Sequence, residues 1–214
     1  EMVSATRQFG FLPYTGRGTL TSIMSLVKDD IPVIVFQNLS IQLLPQWHYA
    51  VVIGFDSDKG TVTLHTGLTP NHEMSLELFE RTWGRGNYWY LAPVPPNATS
   101  PEMTPFTYVS AAYDMLKVGD KARSLAFLKT ASHTWPTYWL SYFLVANYYL
   151  EQNDSQAVAW FKKGYEVGQN QHVYVHNYVL ALRENNMPEK ANIILKQGLE
   201  RFPDNEALLT LAEK

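Results

Sequence analysis

One histidine stands where it could act as a general base. His48 lies in the run Trp47-His48-Tyr49-Ala50-Val51-Val52-Ile53-Gly54-Phe55-Asp56, at the mouth of an apolar stretch of strand length that closes in a Gly-aromatic-Asp turn. Imidazole takes up and returns a proton near neutral pH, so histidine commonly serves a thiol or hydroxyl nucleophile. Such a base needs a fixed position and a partner that holds the right tautomer. A strand start supplies the first. The stretch that follows, ending in His65-Thr66-Gly67, runs beside it and can supply the second. The chain contains no cysteine, so it has no thiol of its own for this base to serve.

Other chemistry-bearing residues are sparser. Gln37 and Asn38 close the apolar run Pro32–Gln37 and are candidates to line a cleft or, alternatively, to form the loop after it. Trp47 and His65 flank the candidate base and join them as possible peptide-binding residues. His65 and His72 border a turn-rich loop. His172 and His176 are four apart on a predicted helix, a spacing that can hold a metal, but no third ligand is near, and no metal or cofactor is expected. Patterns for phosphate loops, dinucleotide folds and serine elbows are absent.

The elements that must position these residues fall into two halves. Before residue 94 come β-branched and aromatic runs broken by turns. Strands are predicted at Pro32–Gln37 (buried on both faces), Tyr49–Phe55, Thr61–Thr66 and Asn87–Val94. Helices are predicted at Met2–Gln8, at Leu20–Lys28 with Leu20, Ile23, Met24 and Val27 on one face, and at Met74–Trp83 with Ser75 as cap and Leu76, Leu78 and Phe79 facing inward. This is an α+β arrangement with a mostly antiparallel sheet. Five of the twelve prolines lie between Pro93 and Pro105, which marks residues 95–105 as a linker.

Residues 106–214 contain a repeat. Ala157 and Ala191 are 34 apart, with companion pairs Phe161/Leu195, Gly164/Gly198, Leu144/Tyr178 and Tyr148/Leu182. A weaker first copy, Ser124, Leu128 and Ala131, precedes them at an offset of 33. Turns are predicted at Gly119-Asp120, Gln152-Asn153-Asp154 and Asn185-Asn186-Met187-Pro188. This period and these small residues resemble tetratricopeptide repeats, about three of them, which implies an all-α superhelix whose groove takes a peptide or protein partner. Tyr138, Trp139, Tyr142, Asn147, His176, Asn177 and Arg183 are groove candidates, although aromatics in such helices mostly pack.

Residues 1–94 resemble the bacteriocin-leader (double-glycine) cysteine peptidases of the papain-like superfamily. Three stretches carry the resemblance: Met24 to Val35, which is similar to a helix followed by G-x-P-V-I-V; Trp47 to Asp56, similar to the family's histidine strand; and Val62 to Gly67, similar to the strand that delivers its acid. A variant with tetratricopeptide repeats appended, found in bacterial envelope proteins, is similar to the whole chain. The resemblance implies a papain-like half-domain, His48 as general base, and Thr66 where the family has an orienting aspartate. It also implies that the cysteine and the oxyanion-hole glutamine belong to a helix upstream of Glu1, and that the protein resides in the cell envelope or periplasm of a bacterium. The resulting expectation is a peptidase-like module coupled to a protein-binding repeat, or alternatively a degenerate module that only binds.

Composition narrows the partners. A net charge of −3 argues against nucleic acid, and no apolar run approaches a membrane span. At 214 residues and 46% hydrophobic content, two ordinary domains can each bury a core.

Overall fold

The computed structural model describes residues 1–213. Two compact units divide between Arg123 and Ser124, downstream of the proline-rich stretch at 95–105. Unit 1 runs α1 (Met2–Gln8), β1 (Leu12–Arg17), α2 (Leu20–Lys28), β2 (Val33–Asn38), β3 (Trp47–Asp56), β4 (Thr61–Thr66), β5 (Thr69–Ser75), α3 (Leu76–Arg85), β6 (Trp89–Val94) and α4 (Pro105–Lys117). The strands form one sheet of order β1-β6-β2-β3-β4-β5, antiparallel throughout.

Strands β1 and β5 escape the sequence pattern because each carries a proline, Pro13 and Pro70. Both are edge strands, where a missing backbone donor costs no ladder bond. The sheet has two unequal faces. Directly paired residues share a face, so Val33, Val35, Ala50, Val52 and Leu64 form a buried layer, all 0–1% exposed. Ile34 and Phe36 of β2 point the other way and are only half-buried, which corrects the expectation of burial on both faces.

Helix ends follow local chemistry. In α2, Thr19 caps through Ser22 N in a capping box. In α3, the Ser75 hydroxyl accepts from Leu78 N, as the sequence anticipates, but Met74 belongs to β5. The buried face of α3 is Phe79, Thr82 and Trp83, while Leu78 is 43% exposed. In α2 the buried residues are Ile23 and Leu26. The proline-rich stretch is pinned to this unit: Thr104 N donates to the Tyr14 hydroxyl at 2.9 Å, and the Tyr108 hydroxyl donates to the Ala98 carbonyl at 3.3 Å. Burial pushes the Tyr108 phenol well above its ordinary range.

Unit 2 is helical. It holds α5 (Lys121–Thr134) from Ser124 onward, then α6 (Trp139–Glu151), α7 (Gln156–Lys163), α8 (Tyr165–Gly168), α9 (His172–Glu184), α10 (Pro188–Arg201) and α11 (Glu206–Ala212). Each predicted turn contains a residue with left-handed backbone: Gly119 (φ 97°), which with α4 belongs to unit 1, and Asn153 (53°) and Asn186 (57°) of unit 2. These mark the true register of the repeat. Tyr108, Tyr142 and Val175 are buried equivalents, as are Ala112, Ala146 and Val179, and Met115, Tyr149 and Leu182. The pairs Leu144/Tyr178 and Tyr148/Leu182 are therefore one residue out of register, because Leu144 and Tyr148 are half-exposed. One extra residue between Asn186 and Ala191, relative to Asn153 and Ala157, accounts for the slip.

The small residues of the repeat permit close helix approach. A Cβ on Gly164 would stand 2.5 Å from both Tyr142 Cβ and the Tyr174 hydroxyl, and one on Gly198 would meet Val175 at 2.6 Å. Aromatics fill the remaining volume: Phe161 stacks on Tyr178 with centroids 5.6 Å apart, and the Tyr174 hydroxyl donates to the Phe161 carbonyl at 2.8 Å.

Candidate functional site

His48 occupies the second position of β3, opposite Gln37 of β2. Strand β4 pairs with β3 so that Thr66 stands opposite Ala50, two residues along from His48 on the same face. This register brings His48 Nε2 to 2.6 Å from Thr66 Oγ1. The chain turns sharply after Thr66 at Gly67 (φ 55°), whose added Cβ would lie 3.9 Å from His48 Cε1.

The bond admits either direction, since the Thr66 hydroxyl can accept from or donate to Nε2. When Nε2 carries the proton and donates to Thr66 Oγ1, Nδ1 keeps a lone pair and is the basic position. Among the described residues, no protein group hydrogen-bonds Nδ1. The residue as a whole is half-buried. Threonine orients the ring but carries no charge, so it cannot stabilise imidazolium as a carboxylate would.

The other residues singled out by the sequence are not gathered here. Gln37 is 1% exposed and its amide donates to Thr82 Oγ1 of α3 at 2.8 Å, making it part of the core and no cleft residue. Asn38, also 1% exposed, turns its side-chain oxygen onto Ser40 N (3.0 Å) and Gln46 N (2.9 Å), which makes it a loop-forming residue. Trp47 projects from the opposite face of the sheet, stacked on Phe36 with centroids 4.9 Å apart. His65 pairs with Val51 and so also faces away from His48, with its Nδ1 accepting from Asn71 N at 3.2 Å. Asp56, at the far end of β3, accepts from Asp58 N and Lys59 N and pairs with the Lys59 ammonium at 3.2 Å. The backbone donation from Lys59 leads the causes that hold the Asp56 carboxyl below its ordinary range.

Two arrangements were not read from the sequence, although the second joins Asn147, His176 and Asn177, each a groove candidate by sequence. The first is a run of rings on the open sheet face, where Phe36 also meets Tyr49 at 4.7 Å and Tyr49 meets Trp89 edge-on at 6.1 Å. Alternation along β2 and β3 carried this signal, but it requires the strand register to be read. The second is a polar run between α6 and α9. The Asn177 amide donates to Asn147 Oδ1 at 2.6 Å, the Asn147 amide donates to the Phe143 carbonyl at 2.7 Å, and His176 Nδ1 lies 2.8 Å from Asn177 Oδ1.

Of the groove candidates, Tyr142 is 5% exposed and packs internally. Arg183 donates to the Leu211 carbonyl at 2.8 Å and borders an open cavity of about 910 Å³ with Asn192, Leu195 and Lys196. His172 packs edge-on against Phe202, away from any metal set. Among the described residues, no three His, Asp or Glu side chains converge as metal ligands.

No protein-family model matches this sequence, and no curated protein matches it. Among solved structures, the chain is similar to MamA (TM-score 0.41, 15% identity, covering 46% of this chain and 54% of that one). It is likewise similar to the N-terminal domain of stress-induced protein-1 from C. elegans (TM-score 0.45, 18% identity, 51% of this chain and 92% of that one). The chain thus spans about half the length of the MamA structure it matches.

Proposed function

We propose that unit 1 is a peptidase-like module in which His48 is the general base, and that unit 2 is a tetratricopeptide-like repeat that binds a peptide or protein. The observation that carries this reading is the 2.6 Å contact between His48 Nε2 and Thr66 Oγ1, which fixes the ring and, in the tautomer that protonates Nε2, leaves Nδ1 as the basic nitrogen. The thiol is supplied from outside these 214 residues, which contain none. In the reaction that this arrangement suits, the thiol gives its proton to Nδ1 and the thiolate attacks the acyl carbon of a peptide bond. The imidazolium then returns the proton to the leaving amine. The repeat contributes binding energy remote from the scissile bond. A bacterial envelope location belongs to the same proposal.

A second reading, a module that only binds, is favoured by one specific observation: Thr66 is neutral where an acid would sustain imidazolium. One experiment separates the two. The gene-encoded protein containing these residues is treated with a thiol-directed peptide probe, as wild type and as His48→Ala. The peptidase reading expects labelling of the wild type and at least about a hundredfold slower labelling of the variant. No labelling of either, or equal labelling of both, selects the binding reading.

A further inference from the structure

The loop between β2 and β3, residues 39–46, is held in shape by bonds at its neck while its tip is apolar and open to water. At the neck, the buried Asn38 oxygen accepts from Ser40 N and Gln46 N, and Leu39 N donates to the Gln46 carbonyl at 2.9 Å. Arg85 of α3 donates from Nη1 to the Ser40 carbonyl at 2.7 Å. At the tip, Leu44 N donates to the Ile41 carbonyl at 3.2 Å and closes a turn. What these bonds hold outward is Leu43 at 91% exposure, Leu44 at 73% and Ile41 at 60%. Large apolar side chains fixed in water in a group are unfavourable for an isolated domain and signal a contact surface.

The surroundings indicate which kind of surface. No charged residue occurs from Leu39 through Tyr49. Trp47 and Tyr49 stand at the loop's base, 52% and 47% exposed, and amphipathic rings of this kind favour the boundary between an apolar phase and water. Beside the loop, Gln42 shares a cleft with Glu77, Glu80, Arg81 and Arg85, two acids and two guanidinium groups with no net charge. An exposed apolar tip without charge, with indole and phenol rings at its base, suits a soft apolar phase bounded by water. The neutral collar suits headgroups that carry both signs of charge.

We propose that this loop is a membrane-contact element. Ile41, Leu43 and Leu44 enter the interfacial region of a bilayer with zwitterionic headgroups, Trp47 and Tyr49 sit at headgroup level, and the collar on α3 faces the phosphate–amine dipoles. The contact lies on the surface of the bilayer. No described helix is long and apolar enough to cross it. The inference stands apart from any role of His48.

The test is co-sedimentation of the full chain with phosphatidylcholine vesicles. Wild type is expected in the lipid pellet, and Leu43→Asp/Leu44→Asp is expected to partition at least about tenfold less. Because both residues project into water, the circular dichroism of the double variant should match wild type, which separates lost binding from lost folding. Quenching of indole fluorescence by spin-labelled phosphatidylcholine should fall in Trp47→Phe. The proposal is overturned if wild type stays in the supernatant or if the double variant pellets equally. It is overturned as well if binding requires anionic lipid, or if the same substitutions abolish a lipid-free dimer, which would assign the loop to a second copy.

Discussion

The two units solve the packing problem in different ways. In unit 2 the helices approach through Gly164, Gly168 and Gly198, and buried rings such as Phe161 and Tyr174 fill what remains. In unit 1 the glycine inside the longest strand, Gly54, faces open contact: a Cβ there would lie 3.6 Å from Thr63, an ordinary distance. Unit 1 makes one such approach where α3 ends, at Gly86, whose added Cβ would meet the Phe36 carbonyl; its polar contacts depend on strand register, which brings His48 to Thr66, and on the packing of α3, which brings Thr82 to Gln37. A repeat touches only its neighbours, so even a long contact such as Asn177 to Asn147, 30 positions apart, stays within about one period, whereas Gln37 reaches Thr82 across 45 positions.

Core truncation should remove this difference, because a buried ring costs the same in either setting. Trp83→Ala and Phe161→Ala are both 0% exposed sites, and each should destabilise by about 3–5 kcal/mol in urea denaturation. A much smaller cost for either would mean that its surroundings collapse onto the void. Glycine substitutions should restore the contrast. Gly164→Ala forces Tyr142 and Tyr174 apart and should cost about 1–3 kcal/mol, against less than about 1 kcal/mol for Gly54→Ala. Equal losses would show that helix crossing is no tighter than the sheet.

Smaller effects probe the sheet's polar contacts. Thr66→Val removes the oxygen facing His48 Nε2 at the loss of about 0.5–1.5 kcal/mol. Its sharper signature is in nitrogen NMR, where the tautomer that protonates Nε2 should lose population, while an unchanged ratio would deny Thr66 an orienting role. The smallest effect is at Asp56, whose folded carboxyl titrates below its unfolded value. Its contribution is therefore complete above the ordinary carboxylate range and disappears as pH falls through the lowered folded value. Wild type and Asp56→Asn should differ slightly in melting temperature at neutral pH and converge in strong acid. A gap that widens on acidification would contradict that sign.

Legibility in the sequence follows the same division. The helices of unit 2 and all three turns were readable because Gly119, Asn153 and Asn186 sit at chain reversals that local chemistry dictates. The repeat register was off by one in α6 and α9, since Leu144 and Val145 are both apolar and only packing tells which faces inward. In unit 1 the central strands were readable from apolar runs, but edge strands β1 and β5 were not, because Pro13 and Pro70 read as breakers until the chain is known to place them at the sheet's margins. The proximity of His48 to Thr66 was expected from adjacent strands. The burial of Gln37 was not, since the amide's partner lies 45 residues away on α3.

What the amino-acid order determined by itself is the division into an α+β half and a helical-repeat half, the turn positions and the absence of any thiol. These are properties of local propensity, period and composition. Tertiary structure alone decided which face of β2 is buried, that Asn38 locks a loop with an apolar tip, and that the compact units part after Arg123. The physical reason is that burial and polar satisfaction are settled by neighbours distant along the chain, which no window of sequence contains.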